Sequence, residues 1–94
     1  MMNYIKPADV LSPKGSLEII RIIKDGGEDS FSLAEIRWEG ELGIGIRWNV
    51  SSGEWYDDDK IKGLKECIGT PSSRGYSTWF VLPKEFHHFV KITF

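Results

Sequence analysis

The residues best suited to chemistry in this chain are cationic, amide and aromatic side chains that can contact a nucleic acid. Arg37, Arg47 and Asn49 fall in a stretch that alternates apolar and polar residues, and Gly43 and Gly45 leave the backbone beside them open to a partner. Bases stack on exposed aromatic rings while cations follow the phosphates. We therefore predict a surface for single-stranded nucleic acid formed by these residues: Arg37, Arg47, Asn49, Arg74, Lys62 and Trp79.

The same residues also admit a structural role. Glu35 and Glu39 lie near the two arginines of the alternating stretch and can neutralise them in cross-strand ion pairs. Trp79 is equally compatible with a place in the core or in a dimer contact. Both interpretations stay open at the level of sequence.

Other reactive side chains do not form a recognisable catalytic or metal-binding motif. His87 and His88 are adjacent and would diverge on a helix, so they cannot both bind one metal ion. Asp57–Asp59 lack the spaced ligands and glycine of a calcium loop, and a run of like charges is usually a solvated turn. No nucleophile elbow or phosphate-binding loop is present in the sequence. We expect a protein that is not an enzyme and has no metal or cofactor.

The elements that position these residues begin with a β-hairpin. Ala34, Ile36 and Trp38 alternate with polar residues, and after Glu39-Gly40-Glu41 the alternation resumes. One buried, apolar face is predicted to combine both strands, with these side chains from the second strand: Leu42, Ile44, Ile46, Trp48 and Val50. Arg37 and Arg47 are then predicted to lie close together on the opposite, polar face.

The flanking segments complete a small α+β domain. Residues 1–16 read as an extended arm and residues 17–94 as one domain. The isoleucine-rich segment Leu17–Lys24 favours a strand, although a helix stays open. Tyr76–Leu82 is a further strand, and Pro83 precedes a helix whose apolar stripe is Leu82, Phe86, Phe89 and Val90. The predicted fold is a four-stranded antiparallel sheet with a C-terminal helix packed on it.

Composition limits the functional classes further. The chain has 94 residues and a net charge of −2, so it is not the basic body that duplex-DNA binders usually present. A single cysteine cannot form an internal disulfide, which favours a reducing, cytoplasmic location. No apolar run is long enough to span a bilayer, so no membrane contact is expected.

Residues Leu17–Asn49 and Gly75–Lys91 resemble the positive-cofactor-four family of single-stranded-DNA-binding transcriptional coactivators. The similarity lies in the order of elements and in three short motifs: Ile36-Arg37-Trp38, Ile46-Arg47-Trp48-Asn49 and Leu82-Pro83 followed by Lys84-Glu85-Phe86. The resemblance implies a homodimer whose helices pair and whose curved sheets bind single strands. By position, it gives the binding role to Arg37, Arg47, Asn49 and Trp79, and helix packing or dimer contact to Phe86, Phe89 and Val90. Glu35 and Glu39 depart from the family's lysine-rich surface.

A second function fits the sequence equally well. The acidic loop Asp57–Asp59 and the aromatic Trp55 and Tyr56 beside it are typical of a surface that contacts another protein. The alternative is therefore a protein-binding module or an inhibitor encoded by a phage or mobile element.

Overall fold

The computed structural model describes residues 2–94 and shows an α+β fold. Four antiparallel strands form the main sheet in the order β2-β3-β4-β8, and a C-terminal helix, α2, lies at His87–Thr93. The strands of this sheet are β2 (Leu17–Asp25), β3 (Phe31–Trp38), β4 (Glu41–Trp48) and β8 (Phe80–Val81). The predicted fold class is confirmed.

The isoleucine-rich segment is a strand, β2. Branching at Cβ suits its side chains to a pleated surface. Its pairing with β3 shifts register twice, between Ile19 and Arg21 and between Ile22 and Lys24. These irregularities insert unmatched residues into the edge strand and allow isoleucines to reach both faces of the sheet.

The turn between β3 and β4 corrects the predicted faces of the hairpin. Glu39 and Gly40 alone form the turn, both with positive φ (48° and 87°), as tight hairpins with primed turns require. Trp38 therefore pairs with Glu41, and Ile36 pairs with Gly43. With a two-residue turn, even-numbered residues of β3 pair with odd-numbered residues of β4. The predicted faces needed even-numbered residues of both strands to pair, which takes a three-residue turn. The prediction of one apolar and one polar face is wrong.

Both faces of the sheet instead carry buried side chains. The front face, which carries Ala34 and Ile36, packs against Val10 and Trp79. The helix face carries Leu33 and Ile44, which pack against Val90 of α2, the residue predicted to pack there. Because apolar side chains leave the sheet on both sides, the hairpin is the centre of a three-layer arrangement.

Residues 2–16, predicted as an extended arm, fold onto the domain. The short strand β1 (Asn3–Tyr4) pairs in parallel with β5 (Glu66–Cys67), where Met2 and Cys67 are buried together. Further along, Val10 is buried against the front face. Residues 2–16 are thus part of the core, because they cover the front face of the sheet, for which the sequence pattern predicted no covering segment.

The predicted fourth strand, Tyr76–Leu82, divides in two. Its first residues form β7 (Tyr76–Ser77), which pairs with β6 (Ser72–Ser73), and only β8 joins the main sheet. The helix that follows is seven residues long. Its Val90 packs against the sheet, whereas Phe86 and Phe89 are exposed. The predicted stripe is therefore only partly buried.

The acidic run is an N-terminal cap of the one-turn helix α1 (Asp58–Ile61). The Asp57 carboxylate accepts hydrogen bonds from the backbone N–H groups of Asp59 and Lys60. Within residues 2–94, no helix is long and apolar enough to cross a membrane. Nor does this part of the chain bring together three or more His, Cys, Asp or Glu side chains that could hold a metal ion.

Candidate functional site

The structure separates the residues that were predicted to form one binding surface. Arg37 pairs with Leu42 on one face of the hairpin, and Arg47 pairs with Ser32 on the other. Arg37 is exposed, and its guanidinium lies 3.6 Å from Glu18. Arg47 is only 2% exposed. The prediction that the two arginines lie together on an open sheet surface is wrong, because the turn has two residues.

Arg47 organises the loop that follows β5. Its guanidinium donates hydrogen bonds to the backbone carbonyls of Ile68, Thr78 and, at 3.4 Å, Pro71. Burial lowers the pKa of Arg47 to about 10, and the nearby charge of Glu54 opposes that shift. Its buried Nε has no hydrogen-bond partner among the described residues. Arg47 thus binds carbonyls within the protein and is not free to contact phosphate.

The Glu54 carboxylate holds the same loop by accepting hydrogen bonds from the loop's backbone N–H groups. Its carboxylate accepts hydrogen bonds from the backbone of Ile68 and Gly69, both at 2.9 Å, and from the Lys60 ammonium at 2.7 Å. Burial raises its pKa, but the hydrogen bonds, including those from Ser51, outweigh burial and lower the pKa to about 2. Arg47 therefore holds the segment 68–71 by its backbone carbonyls, and Glu54 holds the same segment by its backbone N–H groups.

Asn49 and Trp79 also serve the interior. The Asn49 side chain accepts a 2.9 Å hydrogen bond from the Ser32 hydroxyl and donates to the Gly27 carbonyl at 2.8 Å. Trp79 is 5% exposed, and its indole N–H donates to the Val10 carbonyl at 2.9 Å. The glycine at position 45 makes room for it, since a Cβ there would lie 3.0 Å from the Trp79 ring. Of the roles that the sequence left open for Trp79, the structure shows the place in the core.

Arg74, in contrast, lies at the tip of an exposed hairpin. Arg74 and Gly75 form the two-residue turn between β6 and β7, with φ values of 51° and 83°. Tyr76 follows directly and is 67% exposed. The turn conformation therefore presents a cation and an aromatic ring at neighbouring positions.

Arg74 and Tyr76 line a cavity of about 530 Å³, which we call the basic cleft. Trp38, half-buried at the end of β3, contributes a second accessible ring. The complete lining is Ser12, Pro13, Trp38, Ser73, Arg74, Tyr76, Thr78 and Trp79. Arg47 supports the wall of this cleft, because it binds the Thr78 carbonyl. The basic cleft thus presents one guanidinium, aromatic rings and hydroxyl groups, and Arg47 holds part of its wall in place.

The sequence contained a signal for this cleft that the prediction did not use. The signal is the glycine at position 75, since a glycine readily adopts the positive φ that the second residue of a tight hairpin turn requires. Of the predicted binding residues, the structure brings Arg74 and Trp79 together in the basic cleft. Lys62 is exposed after α1 and does not line the cleft, and Tyr76 and Trp38 were not among the predicted residues.

No protein-family model, curated protein or solved structure matches this chain.

Proposed function

We propose that the protein binds single-stranded nucleic acid in the basic cleft and catalyses no reaction there. The observation that carries this proposal is the position of Arg74, whose cation stands at a hairpin tip next to the exposed ring of Tyr76 and in one cleft with Trp38. Aromatic rings beside a guanidinium suit unpaired bases joined by phosphates, since bases can stack while the cation binds the backbone.

The charge of the protein favours a single strand over a duplex. With a net charge of −2, the chain lacks the broad positive surface on which duplex binding depends. Stacking can supply the missing affinity, because each base stacked on an aromatic ring contributes roughly 1–3 kcal/mol. We therefore expect binding that tolerates many sequences and involves few phosphates.

The proposal keeps the function that the positive-cofactor-four resemblance implies, but at another place. That family binds strands on the open face of its sheet, whereas here Arg47 and Asn49 are buried. The hairpin formed by β6 and β7 supplies the cation and the ring instead. We place the protein in the cytoplasm, with a role in transcription or DNA metabolism.

We further propose that the protein is a homodimer formed through the outer side of α2. Phe86, just before α2, and Phe89 and Ile92 within it recur every three residues and are all exposed. Lys91 is the only Lys, Arg, Asp or Glu of α2, so two copies can meet there without burying several like charges. Analytical ultracentrifugation is expected to show a dimer that Phe89→Ser converts to a monomer. A monomeric parent protein would contradict this assignment.

Fluorescence anisotropy of a labelled single-stranded oligothymidylate tests the binding proposal. We expect saturable binding, and the logarithm of the association constant should fall with the logarithm of salt concentration at a slope of about −0.7 to −1.4, because one or two phosphates of a single strand are neutralised. Tyr76→Ala should weaken binding about fivefold or more, in line with the loss of one stacked base. Tyr56→Ala is the matched control, since Tyr56 is 89% exposed and lies outside the cleft. Equal losses in both variants, or no binding at low salt, would overturn the proposal.

A second candidate function is protein binding through the loop that contains α1. Tyr56 and Leu64 are strongly exposed on either side of α1, next to the acidic Asp58. Large exposed apolar side chains are typical of interaction surfaces. Binding that depends on Tyr56 and Leu64 and changes little with salt would favour this candidate over nucleic acid.

A further inference from the structure

A second cavity, distinct from the basic cleft, has the opposite charge. It has a volume of about 490 Å³ and we call it the acidic cleft. The described residues that line it are Glu28, Asp29, Trp48, Val50, Ser51, Ser52, Trp55 and Thr70, and none of these is Lys, Arg or His. Two tryptophans and two acidic residues thus line one open space, and one oxygen of Glu28 also accepts a 3.1 Å hydrogen bond from the Met2 backbone N–H.

Both tryptophans of the acidic cleft are partly exposed but held in place. Trp48 is 53% exposed, and its ring meets Phe31 edge-on with centroids 6.2 Å apart. Its backbone exchanges two hydrogen bonds with Thr70, of 2.7 and 3.0 Å. Trp55, 40% exposed, lies in the single turn Ser52–Tyr56, which a capping box fixes at its start. The rings are therefore presented by a preorganised frame.

We propose that the acidic cleft binds the arginine side chain of a peptide. A guanidinium stacks on tryptophan faces and is attracted by their π electrons. Its N–H groups can donate to the carboxylates of Glu28 and Asp29 and to the hydroxyls of the cleft. A quaternary ammonium group would also suit the rings, but it has no N–H groups to offer to these acceptors.

The size and charge of the cleft fit the same ligand. A cavity of about 490 Å³ exceeds the volume of one guanidinium and its three-carbon stem, so the adjoining peptide backbone also fits. The carboxylates would repel phosphates, which excludes the nucleic acid proposed for the basic cleft. This inference does not depend on the proposed function, because the two clefts share no lining residue.

Titration with the peptide acetyl-Gly-Arg-Gly-amide, followed by the indole N–H signals in nuclear magnetic resonance spectra, tests the inference. We expect saturable shifts of the Trp48 and Trp55 signals, while Trp79, which is buried and bonded to Val10, stays unmoved. The lysine peptide is expected to bind several-fold more weakly, and a citrulline peptide, which is neutral but has nearly the same shape, is expected not to bind. Equal binding of the citrulline or lysine peptide, or no saturable shift, would overturn the proposal.

Variants locate the binding within the cleft. Trp55→Ala should weaken arginine-peptide binding by about two- to thirtyfold, the range to which cation–π contributions correspond. Asp29→Asn should weaken it by about two- to fivefold, as expected for the loss of an exposed ion pair. Tyr56→Ala and Asp58→Asn are the matched controls, because both residues are exposed nearby but do not line the cleft. Unchanged indole signals from Trp38 and Trp79 would show that a variant is folded. Equal weakening by the control variants would contradict the assignment.

Discussion

The Lys60 ammonium donates a 2.7 Å hydrogen bond to the buried carboxylate of Glu54. This pair joins α1 to the loop at residues 68–71, since Glu54 also accepts hydrogen bonds from the backbone of residues 68 and 69. Thr70 of that loop lines the acidic cleft, so the frame of the acidic cleft depends on one ionised carboxylate.

Stability is expected to fall in acid through the titration of Glu54. Its pKa is about 2 in the folded protein, below the ordinary value of 4.5. The stabilisation is fully present above pH 4.5 and is lost as the pH falls towards 2. Glu54→Gln should lower the free energy of unfolding at pH 7 by about 1.5–3 kcal/mol, because charged hydrogen bonds are lost. Denaturant unfolding at several pH values measures both effects, with the exposed Glu85→Gln as control. An unaltered acid profile in Glu54→Gln would contradict this role.

Replacement of Arg47 should lower the free energy of unfolding, because this side chain is buried and holds the backbone. Arg47→Met removes hydrogen bonds from a charged donor to three backbone carbonyls, of which Ile68 and Pro71 keep second donors in Ser77 and Thr78, and we expect a loss of about 3–5 kcal/mol in the free energy of unfolding. Arg47→Lys should restore little, because a single ammonium cannot reproduce the forked guanidinium. Arg21→Met is the control, since Arg21 forms an exposed ion pair with Glu35 that contributes at most about 1 kcal/mol. Similar losses at both positions in urea unfolding would be inconsistent with a buried framework role.

A side chain at position 69 should not be tolerated. Gly69 has a φ of +71°, and a Cβ there would collide with the Trp48 carbonyl and the Arg47 guanidinium and lie 2.7 Å from the Asn49 carbonyl. Gly69→Ala is expected to cost at least about 2 kcal/mol, because backbone strain adds to the collision. Gly53→Ala is the matched control, with nothing within 4 Å of its added Cβ. Thermal unfolding compares the two, and a Gly69→Ala protein as stable as the parent would disprove the packing described.

The single cysteine should be protected in the folded protein. Cys67 is fully buried, and burial raises the pKa of its thiol, so little reactive thiolate is present near neutral pH. We expect Ellman's reagent to react slowly with the native protein and rapidly after denaturation. Complete reaction of the native protein within the mixing time would show that β1 and β5 do not cover the thiol.

The hairpin illustrates what the sequence could and could not predict. Alternation located β3 and β4 correctly, but the faces depended on whether the turn had two or three residues, and the sequence Glu39-Gly40-Glu41 allows both. One residue of turn length reversed the predicted placement of Arg47.

The partners of the buried polar residues could not be predicted for a different reason. Arg47 binds carbonyls 21, 24 and 31 positions away, and Trp79 binds the carbonyl of Val10, 69 positions away. Backbone carbonyls occur at every residue and leave no sequence signature. In the sequence, an arginine and an asparagine that form hydrogen bonds within the protein therefore look the same as residues of a binding surface.

Comparison of Arg74→Ala with Arg37→Ala in oligothymidylate binding tests the central claim most directly. Both arginines are exposed and both changes remove one positive charge, but only Arg74 lines the basic cleft. Fluorescence anisotropy at low salt should show about tenfold weaker binding for Arg74→Ala and less than about a twofold change for Arg37→Ala, as expected when one cation contacts phosphate and the other does not. Equal weakening, or a larger loss for Arg37→Ala, would contradict the basic cleft as the binding site.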